Sequence, residues 1–468
     1  MRSAREWVSR RPRRAMLIGV TLLALLARVL WVAVDSNYTP ILDAESYYLQ
    51  GIYLYHHHHL LRLQPPVTAF GHHSRRWPSA YWPPLYTMFQ ATGQELHHWL
   101  SFTGISAIAL IRLVQAAIGA VGAGLMALVA LRLFGRRVAA VTGIFVALFP
   151  PSIFVCESFY SESLWVPLFI AAVAAAVEYR RTRKLWWVAA AGLLTGLGTL
   201  THSNGVYLLP PVIVAVWPRG GLRLRTRGGQ HPRRFAPRAF LPLAAYLAVV
   251  AVTLTPWTIR NWVELHHFVP ISTSFGNTIA GVYNDQARLS KKNPGAWVLV
   301  RDVKLYASIN QEDHSNPNPA VADEQLTVRA FHYIEQHPTY PFVVAFWNTA
   351  RLLQVMGFGL SEWYSREVGI DSKWSDLAVL SFWLMALGAL YGCFTRQVRL
   401  GEKWIWLVPL VMYLGIVFIQ SEVPRFRSPI DPFLCMLAAC AAVSVWERIE
   451  QHGVIRRRPG FRGEYANT

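Results

Sequence analysis

Ten runs of nearly unbroken apolar residues organise the chain, at 15–34, 105–133, 138–156, 160–179, 185–201, 204–217, 239–259, 376–394, 404–420 and 431–447. A bilayer-crossing helix needs about 20 predominantly apolar residues, so these runs predict membrane-spanning helices. The connections at 134–137, 180–184, 218–238 and 395–403, with the tail after 448, carry clusters of arginine and lysine. Cytosolic loops hold that excess. With the basic N-terminus also in the cytosol, the connections at 35–104, 157–159, 202–203, 260–375 and 421–430 face outward. The apolar stretch Ala15–Val34 is about 20 residues, longer than the 7–15 of a signal peptide, and reads as a retained anchor.

Two stretches need a choice. Residues 185–217 would suit one long helix, but that would place the basic segments 180–184 and 218–238 on opposite sides. Two short spans with a break at His202-Ser203-Asn204-Gly205 keep the sidedness consistent. The stretch 341–360 is apolar enough to span, yet doing so would send the basic C-terminus outside. With Asn348 and Arg351 in its middle, it predicts an amphipathic helix lying in the outer interface. In 35–104, Trp77, Tyr81, Trp82, Tyr86 and Trp99 among histidines and prolines predict short helices at headgroup level. The expected organisation is a cytosolic basic N-terminus (1–14), a transmembrane module (15–259), an outer loop with interfacial helices (260–375), C-terminal transmembrane helices (376–447) and a cytosolic basic tail (448–468).

Composition agrees. The chain is 53% hydrophobic and 15% charged, where soluble domains average about a quarter charged. A net charge of +19 would suggest nucleic acid in a soluble protein. Here the basic residues sit beside apolar runs, which points to topology and anionic lipid contact instead. Cys156, Cys393, Cys435 and Cys440 lie in or beside apolar stretches without CxxC spacing, so neither a disulfide framework nor a metal site is expected. Consecutive His56 to His59 point around a helix rather than at one ion. No GxGxxG or P-loop string marks a nucleotide site.

The candidate chemistry lies at the outer mouths. Asp43 and Glu45 follow the first span, with Tyr47 and Tyr48 beyond them. A carboxylate there is suited either to capping a helix or to taking a proton from an attacking hydroxyl. On the same side stand the corner Tyr81-Trp82-Pro83-Pro84-Leu85-Tyr86, Glu157, the Ser161-Glu162 pair, and His202 with Asn204 at the helix break. Arg260 closes the seventh span. Glu422, Arg425 and Arg427 lie in the last outer loop, where the two arginines depart from the basic-inside pattern. Arginine suits phosphate because its planar fork donates parallel hydrogen bonds.

Taken in order, these motifs resemble the polyprenyl-phosphate-sugar-dependent glycosyltransferases of the GT-C fold, the protein O-mannosyltransferase-like and aminoarabinose-transferase-like group. The matching pieces are Asp43, Glu45 and Tyr47; Pro84-Leu85-Tyr86; Ser161-Glu162; Pro256-Trp257 with Arg260-Asn261; Tyr333-Ile334 with His337-Pro338; and the string from Glu422 to Phe433. The resemblance implies an all-α polytopic bundle of about 10 transmembrane helices with extracytoplasmic juxtamembrane helices. It implies transfer of a monosaccharide from a polyprenyl-phosphate carrier to the hydroxyl of an extracytoplasmic glycan, lipid or protein acceptor, with inversion. Asp43 would be the base, and Arg425 or Arg427 would hold the lipid phosphate. No cofactor is required, and a need for divalent metal is open. Three departures stand out. Ala44 separates the acidic pair, so either carboxylate could act. Pro83-Pro84 stand near where some members place a lysine, for which Arg75 or Arg76 would substitute, if anything does. His202 occupies a place where arginine is expected. The arginine-heavy basic set suggests a bacterial cell (inner) membrane with an extracytoplasmic site. The alternative function is a transporter or flippase of lipid-linked or anionic substrates.

Overall fold

The computed structural model describes residues 11–60, 79–218, 237–306, 308–309, 318–419 and 423–451, and no strand occurs among them. The helices of eight or more residues are α1 (Pro12–Val34), α2 (Asp43–His57), α3 (Pro84–Trp99), α4 (Ala107–Phe134), α5 (Arg136–Leu148), α6 (Pro150–Glu157), α7 (Glu162–Thr182) and α8 (Leu185–Thr201). They continue as α9 (Leu209–Val216), α10 (Leu241–Leu265), α11 (Phe275–Val282), α12 (Pro319–Gln336), α13 (Tyr340–Leu352), α14 (Phe358–Glu367), α15 (Ser372–Cys393), α16 (Leu407–Ile419) and α17 (Asp431–Gln451).

All ten apolar runs fall on helices. Among the described residues, six helices (α1, α4, α7, α15, α17, and α10 with the turn before it) are long and apolar enough to cross a membrane, and α5 with α6 would add a bent seventh. The run 138–156 is therefore not one straight helix. It bends by 53° where Pro150 and Pro151 follow an extended Phe149, because proline lacks an N–H and disfavours helix in the residue before it. The break at His202 is present as a 3₁₀ turn, Ser203–Leu208, between the shorter helices α8 and α9.

Helix α7 is the axis of the bundle. Trp165, Phe169, Ala172 and Ala176 on it are fully buried, whereas α1 and α10 turn Leu22, Leu26, Leu30, Val252 and Ile259 outward. That apolar exposure is what lipid-facing helices require. Helices α15 and α17 meet at Gly392, where an added Cβ would run into the Leu437 carbonyl, so only glycine permits this approach.

The segment that follows α10 has its own core of Ile279, Val282, Tyr283, Val300, Tyr306, Leu326, Tyr333 and Tyr340. Helix α13 occupies the first part of 341–360. Its Asn348 and Arg351 are buried and face the protein. Arg351 donates to Asn293 Oδ1 (2.7 Å) and the Pro294 carbonyl (2.6 Å), and Asn348 donates to the Val417 carbonyl (3.1 Å). Phe342 and Phe346 hold the exposed side. An arginine at that depth is tolerated because its hydrogen bonds are met inside the protein.

Between α11 and α12, Asp323 accepts from the Gly276 N–H at 2.7 Å, and burial pushes its carboxyl up to about 6 while that bond pulls down. A carboxyl raised above its unfolded value favours folding below that value, and the contribution is lost as pH rises through about 6. Asp323→Asn is therefore expected to leave the melting temperature unchanged near pH 4 and to raise it above pH 6. Thermal unfolding across that range checks the sign.

Candidate active site

The acidic motif lands where α2 begins. Asp43 is its first residue and is approached through Leu42, whose backbone takes φ 54° and ψ −126°. A non-glycine residue there costs on the order of 1–3 kcal/mol and is commonest at functional sites. Tyr47 follows one turn later on the same face. Its hydroxyl donates to Ser161 Oγ at 3.4 Å, and Ser161 Oγ lies 3.4 Å from Glu162 Oε2. Glu162 is the first residue of α7 and only 1% exposed.

The Tyr47 ring lies 5.0 Å from both Trp82 and Tyr86. Gly51 sits against Gln90, one turn further along each helix, so α2 and α3 run parallel and both start at this place. Tyr86 Oη accepts from Gln90 Nε2 (2.8 Å) and Ser163 Oγ (3.3 Å). Burial pushes both phenols up, so Tyr47 and Tyr86 stay neutral. Trp82 Nε1 is buried without an acceptor among the described residues.

Arg425 arrives from the other end of the sequence in a 3₁₀ turn, Pro424–Arg427. Its Nη2 donates to Asp43 Oδ2 at 2.7 Å, and its Nε stands 3.9 Å from Glu162 Oε1. The second contact is Coulombic, too long for a hydrogen bond. The guanidinium lies 3.9 Å over Tyr160 and 4.8 Å from the Phe426 ring. Burial works against the charge, but Glu162, Tyr160 and Asp43 outweigh it and hold the arginine firmly protonated. His202 stacks on Trp165 at 4.5 Å. Its Nδ1 accepts from the Asn204 N–H at 3.2 Å, which in a neutral ring leaves the proton on Nε2, 3.9 Å from Glu162 Oε1.

Asp43, Tyr47, Trp82, Tyr86, Glu162, His202 and Arg425 are thus brought together. Arg427 is not. It donates through Nε to Asp431 Oδ1 (2.8 Å) and through Nη1 to the Leu352 carbonyl, with Phe382 beneath it at 3.4 Å. That arginine braces the turn that aims Arg425. Arg260 also stands apart, donating to the carbonyls of Ser79 (2.9 Å) and Leu60 (3.2 Å). With Thr273 N–H on the Ala80 carbonyl (2.8 Å) and Asn277 on Tyr81 Oη (3.0 Å), it fixes the aromatic corner. Glu45 is half-buried, two positions on and so about 200° around the helix from Asp43. Glu422, Arg75 and Arg76 lie outside the described residues. Among the described residues no group of three His, Cys, Asp or Glu side chains is arranged to hold a metal.

The sequence reading missed Arg112, hidden inside an apolar run. It donates to the Asp35 carbonyl (2.6 Å), Asp35 Oδ2 (2.7 Å) and the Glu157 carbonyl (2.9 Å), and lies 4.6 Å over Tyr38. Tyr38 Oη in turn accepts from the Phe159 N–H at 2.9 Å, and Gln115 donates to the Cys156 and Ser158 carbonyls (2.9 and 2.8 Å). The chain leading to Asp43 and the chain leading to Glu162 are tied through this arginine and through Tyr38. An ionisable residue within a span was the available signal. Arg112→Lys keeps the charge and loses the fork. It is expected to stay folded by thermal unfolding while turnover at this site falls about tenfold, since small misplacements of reacting groups are costly.

A polytopic helical bundle with a buried acid–arginine cluster at one end defines a membrane protein of the GT-C glycosyltransferase fold. Residues 83–229 match the family model described as dolichyl-phosphate-mannose-protein mannosyltransferase, a stretch that holds the aromatic corner, Ser161-Glu162 and His202. The chain is similar in structure to the oligosaccharyltransferase AglB of the archaeon Archaeoglobus fulgidus, solved with an inhibitory peptide and a dolichol-phosphate. That match has TM-score 0.54 and 15% identity over 98% of this chain and 53% of that one. A second structure of the Archaeoglobus fulgidus oligosaccharyltransferase, tethered to an acceptor peptide, matches with TM-score 0.54 and 14% identity over 96% and 52%. ArnT from Cupriavidus metallidurans, bound to undecaprenyl phosphate, matches with TM-score 0.41 and 14% identity over 96% and 81%. The chain spans about half the length of the archaeal enzyme. No curated protein sequence matches it. The two archaeal structures show that the chain shares their fold, and the family model matches less than a third of it.

Proposed function

We propose that the chain is an integral-membrane glycosyltransferase of the bacterial cell membrane. It would move a monosaccharide from a polyprenyl-phosphate carrier to an acceptor hydroxyl of a glycan, lipid or protein at the outer face, with inversion. The observation that carries this reading is the Arg425–Asp43 contact of 2.7 Å, closed across 382 positions of sequence, with buried Glu162 behind it.

In this reading Asp43 takes the proton from the acceptor hydroxyl as its oxygen bonds to the anomeric carbon. The bond from that carbon to the phosphate oxygen breaks, and its electron pair stays with the lipid phosphate. Arg425 offsets the charge that develops there. To do so it exchanges Asp43 for a phosphate oxygen, which also frees the carboxylate to act as a base. The start of α3 adds to the anion site. Its first turn carries no acidic side chain and no side-chain cap, which favours an anion over a cation beside it. Trp82 and Tyr47 offer a surface for the sugar or the first isoprene units. Glu162, itself held by Ser161 and through it by Tyr47, keeps the arginine in place.

The test is reconstitution of the full chain with a polyprenyl-phosphate sugar and a range of acceptors. Sugar leaving the carrier with release of one polyprenyl phosphate is the expected result. Translocation of the intact lipid without turnover would instead establish the flippase alternative.

A further inference from the structure

The break after α8 and the stretch that follows α10 meet beside the aromatic corner, and polar side chains line the place where they meet. Ser203 Oγ lies 2.9 Å from Ser272 Oγ, which lies 3.1 Å from Ser274 Oγ. A little further along, Asn277 Nδ2 donates to Tyr81 Oη at 3.0 Å. The backbone here is pinned, since Thr273 N–H donates to the Ala80 carbonyl (2.8 Å) and Trp257 Nε1 to the Ile271 carbonyl (2.6 Å). Both ends of this wall reach the candidate active site. At one end the Tyr81 ring stands 4.7 Å from Trp82, whose ring is 5.0 Å from Tyr47. At the other, Ser203 follows His202, whose Nε2 is 3.9 Å from Glu162 Oε1.

The wall is accessible where its support is closed. Tyr81, Trp82, Ser203, Ser272, Ser274 and Asn277 are all half-buried, whereas their chain neighbours Ala80, Asn204 and Thr273 are buried. Three hydroxyls carry three protons and six lone pairs. Their two mutual bonds use two of each, which leaves one proton to give and four lone pairs to receive. A ligand rich in O–H groups matches that surplus of acceptors. The rings of Tyr81 and Trp82 add apolar surface with polar edges. A pyranose has the complementary build, with C–H groups on its face and hydroxyls around its rim. None of the six side chains is charged. Arg260 gives its Nη groups to the Ser79 and Leu60 carbonyls (2.9 and 3.2 Å), and Asp323 accepts from the Gly276 N–H at 2.7 Å. A carboxylate or ammonium placed on this wall sheds water without gaining a counter-ion, which is costly.

We propose that this wall is a subsite for one uncharged pyranose, which packs on Tyr81 and Trp82 and gives hydroxyl protons to Ser203, Ser272 and Ser274. Its place in a reaction rests on the transferase reading, which it narrows to a neutral sugar at this position. The ring belongs either to the carrier or to a glycan acceptor, and both present the same hydroxyls. Binding of the ring needs no turnover, so the subsite and the transferase reading can fail separately.

The test is saturation-transfer NMR on the purified full chain with the methyl pyranosides of glucose, galactose and mannose, and with methyl glucuronide and methyl glucosaminide as charged counterparts. At least one neutral glycoside is expected to bind, several-fold more tightly than the charged pair. Ser203→Ala and Ser272→Ala each remove one hydroxyl and should weaken that binding about fivefold, the worth of one hydrogen bond, with the melting temperature unchanged. Ser272→Thr keeps the hydroxyl and should retain the binding. In reconstituted turnover the alanine variants raise the KM for a glycan acceptor if the ring is the acceptor's, and for the carrier-linked sugar if it is the carrier's. Equal binding in wild type and both alanine variants overturns the proposal. So does equal affinity for neutral and charged glycosides, or no binding of any neutral one. Turnover with both KM values untouched by the alanine variants also overturns it and leaves the transferase reading standing. Selective glycoside binding that the alanine variants lose, without turnover of any carrier-linked sugar, keeps the subsite and removes the transferase.

Discussion

Asp43→Asn is expected to remove nearly all sugar transfer and to leave the fold intact. The substitution is nearly isosteric, and its amide oxygen still accepts from Arg425, which donates to Asp43 Oδ2 at 2.7 Å. What disappears is the group that takes the acceptor proton. General-base catalysis contributes about 10²–10⁴-fold, so turnover should fall by that factor while the melting temperature holds. Affinity for polyprenyl phosphate should not weaken, because the variant loses a carboxylate that competes with phosphate for the guanidinium. Glu45→Gln is the control. Glu45 lies on another side of α2, so its transfer rate should stay within a few-fold of wild type. Single-turnover transfer in reconstituted membranes separates the two variants. A wild-type rate in Asp43→Asn would remove the base assignment, and a large loss in Glu45→Gln would move it two residues on.

Much of the architecture was legible from the apolar runs, because a bilayer demands length and composition and little else. The bend in 138–156 was signalled by Phe149-Pro150-Pro151. The partners of Asn348 and Arg351 on α13 were not, since they are Asn293, Pro294 and Val417, far away in sequence. The order of motifs located Asp43, Tyr47, Tyr86 and Glu162, each at or near a helix start on one side of the bundle. Which arginine joins them is decided by turn geometry. In a 3₁₀ turn with three residues per turn, side chains two apart point in different directions. Arg425 faces Asp43, and Arg427 faces Asp431. The spacing of the two arginines is the same under either choice, so the sequence does not separate them. Arg112 escaped for a different reason. Its main partners are two backbone carbonyls, which no side-chain pattern reveals.

Arg425→Ala is expected to damage both stability and chemistry, and the two losses can be separated. The guanidinium is the cation facing both Asp43 and Glu162, at 2.7 and 3.9 Å. Asp43 is partly solvated, with 31% of its side chain exposed, and tolerates the loss. Glu162 is 1% exposed and is left without the charge beside it. Removing one partner of a buried charged pair costs about 3–5 kcal/mol. Transfer should fall a further 10²–10³-fold in the protein that stays folded, the scale of losing one preorganised donor to a developing anion. Pairing the change with Glu162→Gln removes the stranded carboxyl. The double variant should recover most of the melting temperature and none of the activity. Arg425→Lys keeps the charge without the fork and should fall between, with its loss concentrated in turnover rather than in stability. Recovery of transfer together with stability in the double variant would show that Arg425 acts only by neutralising Glu162, and the phosphate role would pass to the start of α3.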